Sequence, residues 1–562
     1  PNPQPSTNFI YLNQPLIAPS NKTFTKLVTT AFIVARPQTL HGEGTLFSAV
    51  IEPCSKPGLL SVESRSSGGT LSNVFNDSLV TARGHFVLYY TLTGPDAISP
   101  LDADGSGWPD FAERAGAAFE TSYAIEVEEL GYNPPPGMEA WTRPYRVYLL
   151  DLGTMRGQTV AEGRDPEAAV QHGVLTHIEV DNDFASPQEH LSAENALRAT
   201  AAHEFFHAIQ HGYVSRLITV DGFFAELTAM WMEEQVFPGL NDYRHYLDDF
   251  FSAPDIPLNA VSLTVPRIIR HMYGACVFAI YLEERFGRDV MRRIWEQMVH
   301  EPALEAIATV CADYGSSFEE ELTRFALWNF FTGSRHLPGY GYSQADTFPE
   351  VLMRADTVAG SHAERAGQAY FLTATYLPFR LTTPGTYRIT IEGQVPSHWS
   401  LGAVYSVGEV PHPIQAGPGQ AIQIQLPEPQ TITVIACNVD RSVTLRMLYF
   451  KEQPESYVVT VQRLPDDAQG GEAPFTVLGA HPNPASAVVT FTIERRVGLP
   501  LVLEVSDVLG RRMGTIWLSS QRSGSHQLSW PASPTTTLAP GIYFCRFSCP
   551  GHAQTVKVTF CQ

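Results

Sequence analysis

The chain has few positive charges, few cysteines and no long hydrophobic run. Its 37 Lys and Arg residues are outnumbered by 58 Asp and Glu residues, which gives a net charge of −21. Because binding to nucleic-acid phosphates needs a basic surface, we expect no nucleic-acid partner. No run of 18 apolar residues occurs, so we expect no transmembrane segment. Seven scattered cysteines exclude a dense disulfide scaffold, and their odd number leaves at least one unpaired or intermolecular.

The 562 residues are enough for three or four domains, and the patterns along the chain differ. Apolar residues recur at helical spacing from Ser192 to about Phe331, and strand-like alternation begins near Gln368. From Thr476 on there are seven basic and three acidic residues, or +4, so the rest of the chain carries −25. We predict an N-terminal segment of unknown role, prodomain-like or β-rich, at 1–80, an α+β domain at 81–350, a β-sandwich at 351–465 and a C-terminal β module at 474–562.

The sharpest motif is HEFFH, which contains His203, Glu204 and His207. It lies inside a predicted helix that begins near Ser192 and ends at Gly212. Side chains at positions i and i+4 share one face of a helix, so both imidazoles can bind one ion. Zinc in catalytic sites takes about three protein ligands and leaves a fourth position for water. The motif therefore predicts two histidine ligands of zinc, with the glutamate between them as the general base.

A third zinc ligand is expected on a second helix. Eighteen residues separate His207 from Glu226, and the pattern around Glu226 predicts a helix from Gly222 to about Val236. A helix packed against the first can bring one carboxylate to the ion. Glu233 and Glu234 lie about two turns further on, and we expect them to be solvated or structural.

The spacing HExxH, eighteen residues and Glu resembles that of the gluzincin metallopeptidases, and is most similar to the aminopeptidase N type. The wider segments HEFFHAIQHGY, FFAELTAMWMEE and NDYRHYL resemble a group of bacterial secreted proteins classed as metalloproteases, over roughly residues 83–335. The resemblance implies a zincin-like α+β catalytic domain with one catalytic Zn²⁺ bound by His203, His207 and Glu226. It also implies Glu204 as general base in the hydrolysis of a protein or peptide substrate.

Gluzincins also place a Tyr or His where it stabilises the negative charge that develops on the substrate oxygen. Our candidate is Tyr273, which we expect to open the helix that ends in YLEER, with His271 and Tyr246 next in order. A core tyrosine at a helix start is the alternative. Thermolysin-like members carry an Asp four residues after the Glu ligand, where this chain has Met230. The carboxylate that orients the first histidine must therefore come from elsewhere or be missing.

Residues 102–113, with the sequence DADGSGWPDFAE, fit the twelve-residue calcium-binding loop of EF-hands. The pattern places oxygen donors at alternate positions, a glycine at position 6 and a carboxylate at position 12. The predicted ligands are Asp102, Asp104, Ser106, the backbone carbonyl of Trp108, Asp110 and Glu113. We expect a structural Ca²⁺ here, while a turn that only caps a helix is the alternative. The segment before the loop is a strand and loop, so a paired calcium sensor is not expected.

The C-terminal module carries PNP, DVLGRR and PGIYF in this order, between residue 476 and the end of the chain. These motifs resemble the C-terminal sorting domain of the type IX secretion system and the closely related FlgD-like immunoglobulin fold. The resemblance implies an Ig-like β domain, recognition by the secretion machinery, and a secreted or surface-attached bacterial protein. A generic β-sandwich binding module is the alternative. The chain begins at Pro1, without an apolar signal region, so we expect it to be a processed form.

The sequence thus predicts a multi-domain, secreted zinc metallopeptidase in which a catalytic domain precedes two β domains. Two other functions stay open. One is a surface adhesin or carbohydrate-binding protein with a vestigial zinc site, and the other is a zinc hydrolase acting on non-peptide substrates. The complete set of zinc ligands together with Glu204 favours catalysis over adhesion.

Overall fold

The computed structural model describes most of the chain from residue 75 onward and one hairpin before it. The described residues are 31–39, 45–53, 75–138, 143–164, 173–186, 189–214, 221–262, 264–442, 454–465, 474–496, 501–508, 511–518, 523–531, 539–549 and 552–561. The acidic, glycine-containing stretch 465–472, between the two C-terminal β regions, lies almost entirely outside them. In this part of the chain, no helix is long and apolar enough to cross a membrane.

Most of the described helices follow one another between residues 193 and 330, and one lies earlier in the chain. They are α1 (Asp110–Tyr123, continued by a π-helical segment Ala124–Glu129), α2 (Ala193–Tyr213), α3 (Gly222–Val236), α4 (Arg244–Phe251), α5 (Pro266–Gly274), α6 (Cys276–Phe286), α7 (Val290–Met298), α8 (Ala303–Asp313) and α9 (Phe318–Phe330).

The strands divide into three groups along the chain. The first group is β1 (Ala31–Thr39), β2 (Thr45–Pro53), β3 (Asp77–Val80), β4 (Phe86–Tyr90), β5 (Tyr145–Leu150), β6 (Gly157–Arg164) and β7 (Val174–Asp181). The second is β8 (Val358–Ala359), β9 (His362–Ala369), β10 (Thr373–Leu381), β11 (Gly385–Gly393), β12 (Trp399–Val407), β13 (Val410–Ala416), β14 (Ile422–Leu426), β15 (Gln430–Asn438) and β16 (Glu455–Arg463). The third is β17 (Phe475–His481), β18 (Val489–Arg495), β19 (Leu501–Asp507), β20 (Arg512–Leu518), β21 (Gly524–Trp530), β22 (Gly541–Cys549) and β23 (His552–Phe560).

A mixed five-stranded sheet in the order β3-β4-β5-β7-β6 supports the helices. Strands β4, β5 and β7 are parallel, while β3 and β6 are antiparallel to their neighbours at the two ends of the sheet. Helix α2 packs on one face, where the Phe205 ring lies 5.2 Å from that of Phe86 and 6.2 Å from that of Tyr145. The sheet begins at Asp77, inside the segment predicted as N-terminal and separate.

One of the two predicted boundaries of α2 differs from the structure. Ser192 caps α2 as expected, because its side chain accepts a hydrogen bond from the Asn195 backbone N–H. The predicted end at Gly212 is wrong, since α2 continues to Tyr213. Gly212 is needed for packing, because a Cβ there would lie 3.2 Å from a side-chain carbon of Pro136. A glycine near a helix end therefore marks a close contact here and not a helix stop.

The second group of strands forms two facing sheets, β13-β12-β15-β10-β8 and β14-β11-β16-β9. Alternate residues of β15 point to opposite sides, as the strand geometry requires. Val434 and Ala436 belong to the core between the two sheets, whereas Ile435 and Cys437 belong to the same hydrophobic core as the helices. The β-sandwich is therefore packed against the helical region, and one continuous core joins them.

The third group forms a three-stranded sheet, β17-β18-β21, and a four-stranded sheet, β20-β19-β22-β23, all with antiparallel neighbours. They enclose their own core, which includes Phe491, Phe547 and Phe560. Lys557 lies in the final strand. The protein is thus multi-domain, with helices around one mixed sheet and further domains built from β-sheets.

Candidate metal centre

Helix α2 carries both histidines of the HEFFH motif, and the residues between them anchor the helix. Phe206 packs edge to face against Tyr132 at 5.0 Å between ring centroids, and its neighbour Phe205 packs on the sheet. At about 100° per residue along a helix, Phe205 lies almost opposite the two histidines and Phe206 lies about a quarter of a turn from them. His203 is only 2% exposed, while the side chain of His207 is 14% exposed. The apolar pair in the motif therefore fixes the direction in which the imidazoles point.

Helix α3 brings Glu226 to the two histidines. The Nε2 atom of His203 lies 3.6 Å from one carboxylate oxygen of Glu226, and the Nε2 atom of His207 lies 3.7 Å from the other. The ligand atoms of the three residues all lie within 4.8 Å of one another. The Glu226 side chain is 22% exposed, so the cluster faces a surface that solvent can reach. The structure therefore brings the three predicted ligands together.

The hydrogen-bond partner of His203 is Glu233. It supplies the carboxylate that thermolysin-like members carry at the position of Met230. Its carboxylate oxygen Oε1 lies 2.7 Å from Nδ1 of His203, and the residue is only 2% exposed. Of the two roles expected for Glu233, solvated or structural, its burial excludes the first. Glu226 and Glu233 are seven residues apart, or two helical turns, and so share one face of α3. The seven-residue spacing in the sequence indicates that Glu233 faces the same way as Glu226. Its contact with His203 follows only from the way in which α3 packs against α2.

Glu234, its neighbour in the chain, has a different environment. Its carboxylate accepts hydrogen bonds from the backbone N–H groups of Gly239 and Asn241, at 2.5 and 2.9 Å. These bonds hold the turn that follows α3. Glu234 is therefore structural, as predicted, and does not face the histidines.

The second histidine is oriented by Gln210, a residue that the sequence analysis did not identify. The Oε1 atom of Gln210 lies 2.8 Å from Nδ1 of His207. The amide nitrogen of Gln210 donates to the Ala225 carbonyl oxygen at 3.0 Å, which leaves Oε1 to accept from the imidazole. Both histidines are thus held with the proton on Nδ1 and the lone pair on Nε2, the form that can bind a metal ion.

Glu204 lies beside the cluster and is in contact with the edge strand β6. The hydroxyl of Thr159 lies 3.0 Å from Oε2 of Glu204 and 2.8 Å from its backbone oxygen. The strand comes this close because residue 157 is a glycine: a Cβ there would lie 2.5 Å from the methyl carbon of Thr200 and 3.1 Å from Cγ of Glu204. A carboxylate with one fixed oxygen is restricted in the directions from which it can accept a proton.

Tyr273 lies close to the first histidine, although the helix around it differs from the prediction. Its ring centroid is 6.4 Å from that of His203 and 5.2 Å from that of Tyr246. Tyr273 lies near the end of α5 and does not open the next helix, because the chain turns at Gly274. A Cβ at Gly274 would lie 2.5 Å from the Tyr246 carbonyl oxygen, so the turn lets α4 and α5 pack closely.

The other two candidates for the same role have buried positions. Burial raises the pKa of Tyr246, and the nearby Asp242 raises it further. The His271 ring packs at 4.9 Å from that of Phe250, and burial lowers its pKa to about 3. His271 is therefore a neutral core residue. Both tyrosines are buried, and Tyr273 is the better placed because its ring packs beside that of His203.

A buried ion-pair network joins the segments around the candidate centre. Arg156, just before β6, donates to Glu189 at 2.6 Å and to Asp242 at 2.7 Å. The Nε2 atom of His190 lies 2.6 Å from Asp242 as well. Burial alone would lower the pKa of Arg156, but the two carboxylates raise it. The network ties the start of the edge strand to the segments that precede α2 and α4.

The predicted calcium loop brings three of its six expected ligands together. Carboxylate oxygens of Asp102, Asp104 and Asp110 lie within 4.8 Å of one another. The Ser106 hydroxyl lies 3.4 Å from the Trp108 carbonyl oxygen, in the same turn.

The last predicted calcium ligand, Glu113, lies in the first turn of α1 and is not part of the carboxylate group. At position 6, Gly107 has a φ of 90°, as the sharp turn of such a loop requires. The backbone thus has the expected shape, and the carboxylates present are those that a hard cation such as calcium prefers.

The comparisons with known proteins give one family. The model of a family of unknown function (DUF6055) matches residues 119–337, which include both helices of the candidate centre. None of the curated proteins matches this chain.

Among solved structures, the chain is similar to the adhesin domain of Epf from Streptococcus pyogenes, with 8% identity and a TM-score of 0.15, over 36% of this chain and 78% of that one. A β-glucuronidase from Parabacteroides merdae has 10% identity and a TM-score of 0.13, over 34% of this chain and 29% of that one. The extracellular region of zebrafish Gpr126 has 10% identity and a TM-score of 0.13, over 38% and 31%. This chain thus spans about a third of the length of the last two. At such scores neither fold nor function follows from the likeness.

Proposed function

We propose that the protein is a zinc-dependent peptidase whose centre consists of His203, His207, Glu226 and Glu204. The observation that carries the proposal is the convergence of two imidazole Nε2 atoms and one carboxylate, with both Nδ1 atoms hydrogen-bonded behind them. A buried cluster that served only as an ion pair would not need both imidazoles held in the same tautomer with their lone pairs pointing at one place.

The donors fit zinc in kind and in spacing. Two imidazole nitrogens and one carboxylate oxygen are a known ligand set for catalytic zinc. With bonds of about 2.0 to 2.1 Å, ligand atoms around a tetrahedral ion lie about 3.3 Å apart. The Nε2 atoms of His203 and His207 lie 3.6 and 3.7 Å from the Glu226 oxygens. Shifts of a few tenths of an ångström would close the site around the ion.

Each side chain then has a distinct part in the reaction. A zinc ion bound there would supply Lewis acidity, which lowers the pKa of a water molecule and polarises a carbonyl group. Glu204 accepts the proton from the attacking water and passes it to the leaving amine. The Thr159 hydroxyl holds one oxygen of the Glu204 carboxylate by a hydrogen bond. Tyr273 donates a hydrogen bond from its hydroxyl to the oxygen on which negative charge develops.

The edge strand favours a peptide as the substrate. Strand β6 is the outermost strand of the five-stranded sheet in the part of the chain that the structure describes, and Thr159 links it directly to Glu204. An extended peptide can add to such an edge through backbone hydrogen bonds. Paired there, it would run past the general base and place a carbonyl group near the three ligands. Esters and other small substrates have no peptide backbone that could form these hydrogen bonds with β6.

The remaining regions fit an exported enzyme. We propose that the seven C-terminal strands, β17 to β23, are the Ig-like sorting module recognised by a type IX secretion machinery, and that the protein is secreted or held at a bacterial cell surface. The loop with Asp102, Asp104 and Asp110 would bind a structural Ca²⁺ near the start of α1. The motifs PNP, DVLGRR and PGIYF support the first statement, and the grouped carboxylates support the second.

The test combines zinc content with hydrolysis of an unfolded protein. The wild type should hold about one equivalent of zinc at this centre, and Glu204→Gln should keep it while losing about 10²- to 10⁴-fold in rate. Glu194→Gln is the matched control, because Glu194 lies on the same helix but pairs with Arg198 at the surface. A chain without zinc, or a Glu204 variant as active as wild type, would refute the proposal. Cleavage of esters but never of peptides would favour the non-peptide hydrolase.

A further inference from the structure

We propose that His398, Asp440 and Glu455 form a second binding site for a divalent transition-metal ion, which cross-links the two sheets of the β-sandwich. The three residues come from separate segments. His398 ends the short turn before β12, Asp440 follows β15, and Glu455 is the first residue of β16. Strands β12 and β15 belong to one sheet, and β16 belongs to the other.

The donor atoms converge as they do around an ion. The Nδ1 atom of His398 lies 2.9 Å from Oε1 of Glu455 and 3.6 Å from Oδ2 of Asp440. All three ligand atoms lie within 4.8 Å of one another. The two distances bracket the spacing of about 3.3 Å between ligands of a tetrahedral zinc ion. One imidazole and two carboxylates suit zinc and its neighbours in the first transition series better than calcium, which prefers oxygen ligands alone.

The net negative charge of the three side chains favours binding of a cation. Two carboxylates meet one imidazole, so the group carries a charge of −1 even when His398 is protonated. Asp440 is 9% exposed, and buried charges are normally paired or bound to metal ions. Arg441, the next residue, forms ion pairs with Glu305 and Glu319 on α8 and α9, at 3.5 and 3.7 Å, so its charge is shared with other carboxylates.

One oxygen in the group has no hydrogen-bond partner. The Oε2 atom of Glu455 is buried and accepts no hydrogen bond, while Oε1 faces His398. The nearby Asn438 is fully buried, and its Nδ2 has no partner, while its Oδ1 accepts from the Asp440 backbone N–H. A buried carboxylate oxygen without a partner is costly unless an ion or water binds it. A metal bound by both oxygens of Glu455 would remove this cost.

The backbone already holds the donors in place. The Val439 N–H donates to the His398 carbonyl oxygen at 2.8 Å, which joins the turn to the end of β15. The Ser442 N–H donates to Oδ1 of Asp440 at 2.9 Å, which leaves Oδ2 for the ion. The donors are thus positioned by bonds that do not themselves need the metal.

The experiment counts metal in the full chain. Wild type, Glu455→Gln and Asp440→Asn are stripped with a chelator, saturated with Ca²⁺, loaded with Zn²⁺ or Co²⁺ alone and dialysed, and their metal content is measured. We expect both variants to hold one equivalent less than wild type. Asparagine at 440 can still accept the Ser442 N–H, so this variant keeps the local backbone bond. The result is the difference in metal content between wild type and each variant. Zinc bound at the proposed peptidase centre is present in both proteins and cancels, so the result does not depend on that centre.

The matched control is His362→Gln, which breaks a His–Glu pair on β9 of the same sandwich. His362 and Glu364 are 3.4 Å apart and more than half exposed, and no third ligand joins them among the residues that the structure describes. This variant should hold as much metal as wild type. Thermal unfolding gives a second readout: Zn²⁺ should raise the midpoint more in wild type than in either site variant. Equal metal content in all proteins would overturn the proposal. So would a site variant whose unfolding midpoint lies below that of wild type by the same amount in chelator and in Zn²⁺, because that result would mean a simple ion pair.

Discussion

Replacing Glu233 by glutamine removes one charge and almost no volume behind His203. The carboxylate now accepts the Nδ1 proton at 2.7 Å in a site that is 2% exposed. A glutamine oxygen can accept the same bond, so the imidazole should stay in place. What is lost is the negative charge that makes the imidazole a better donor to zinc. Glu233→Gln therefore tests whether the negative charge of Glu233 strengthens zinc binding, and it leaves the fold of the site unchanged.

The expected loss can be estimated in two ways. Replacing a residue that orients a metal ligand typically weakens binding by 10- to 100-fold, which corresponds to about 1.4 to 2.7 kcal/mol. A hydrogen bond to a charged group contributes about 1.5 to 3 kcal/mol, and a neutral one about 1 kcal/mol. The second comparison gives a difference of about 0.5 to 2 kcal/mol, or about 2- to 30-fold, so both estimates include a loss in zinc affinity of about tenfold. Glu233→Ala should lose more, because it leaves a buried N–H group of His203 without this acceptor.

The assay is competition for zinc with a chromophoric chelator at neutral pH. Glu234→Gln is the control, because Glu234 is adjacent in sequence but bonds to the turn at Gly239 and Asn241. We expect the dissociation constant to rise for Glu233→Gln and to stay near the wild-type value for Glu234→Gln. Thermal unfolding in chelator checks that both variants are folded. Equal zinc affinity in the two variants would refute the assignment of Glu233.

Three further perturbations test other regions. Millimolar Ca²⁺ should raise the unfolding midpoint by about 3 °C or more, and Asp104→Ala should abolish this rise; a rise that survives in the variant argues against the loop as the site. Gly157→Ala should lower the free energy of unfolding by about 1 to 3 kcal/mol in urea, because its Cβ would lie 2.5 Å from Thr200, and an unchanged value would mean that β6 can move away. Burial holds the pKa of His271 at about 3 in the folded chain, whereas its pKa in the unfolded chain is about 6.5. Between these two pH values the unfolded chain binds more protons, so the free energy of unfolding falls as the pH decreases. Between pH 7 and 5 this histidine accounts for about 2 kcal/mol, and His271→Gln should reduce the decline measured by denaturation by that amount; an equal decline in both proteins would contradict it.

Local patterns were enough to predict the helices that carry the three expected zinc ligands. The bounds of α3, Gly222–Val236, follow from the apolar spacing, and the Ser192 cap follows from residue type. The ligands themselves are set by spacing along α2 and α3. These features depend on residues close together in the sequence, which is why they could be predicted.

The supporting contacts could not be predicted in the same way. Thr159 reaches Glu204 across 45 positions in the sequence, and Gln210 acts only because α3 supplies the Ala225 carbonyl for its amide. Glu233 was misjudged because two turns along a helix was taken to mean distance from the ion, although it means the same face. Tyr273 was assigned to the wrong helix because the close approach of Gly274 to α4 is a tertiary contact.

The continuous core between helices and sandwich has a consequence for dividing this protein into parts. Phe371 and Leu372 are buried in the same core as the helices, and the Tyr376 hydroxyl donates to the Ala326 carbonyl oxygen of α9 at 2.9 Å. A chain cut at residue 350 would therefore leave part of that core facing water. The last residue of that core is Val439, just after β15, and β16 completes the second core, between the two sheets of the sandwich. The helical region and the whole sandwich are therefore best expressed as one unit.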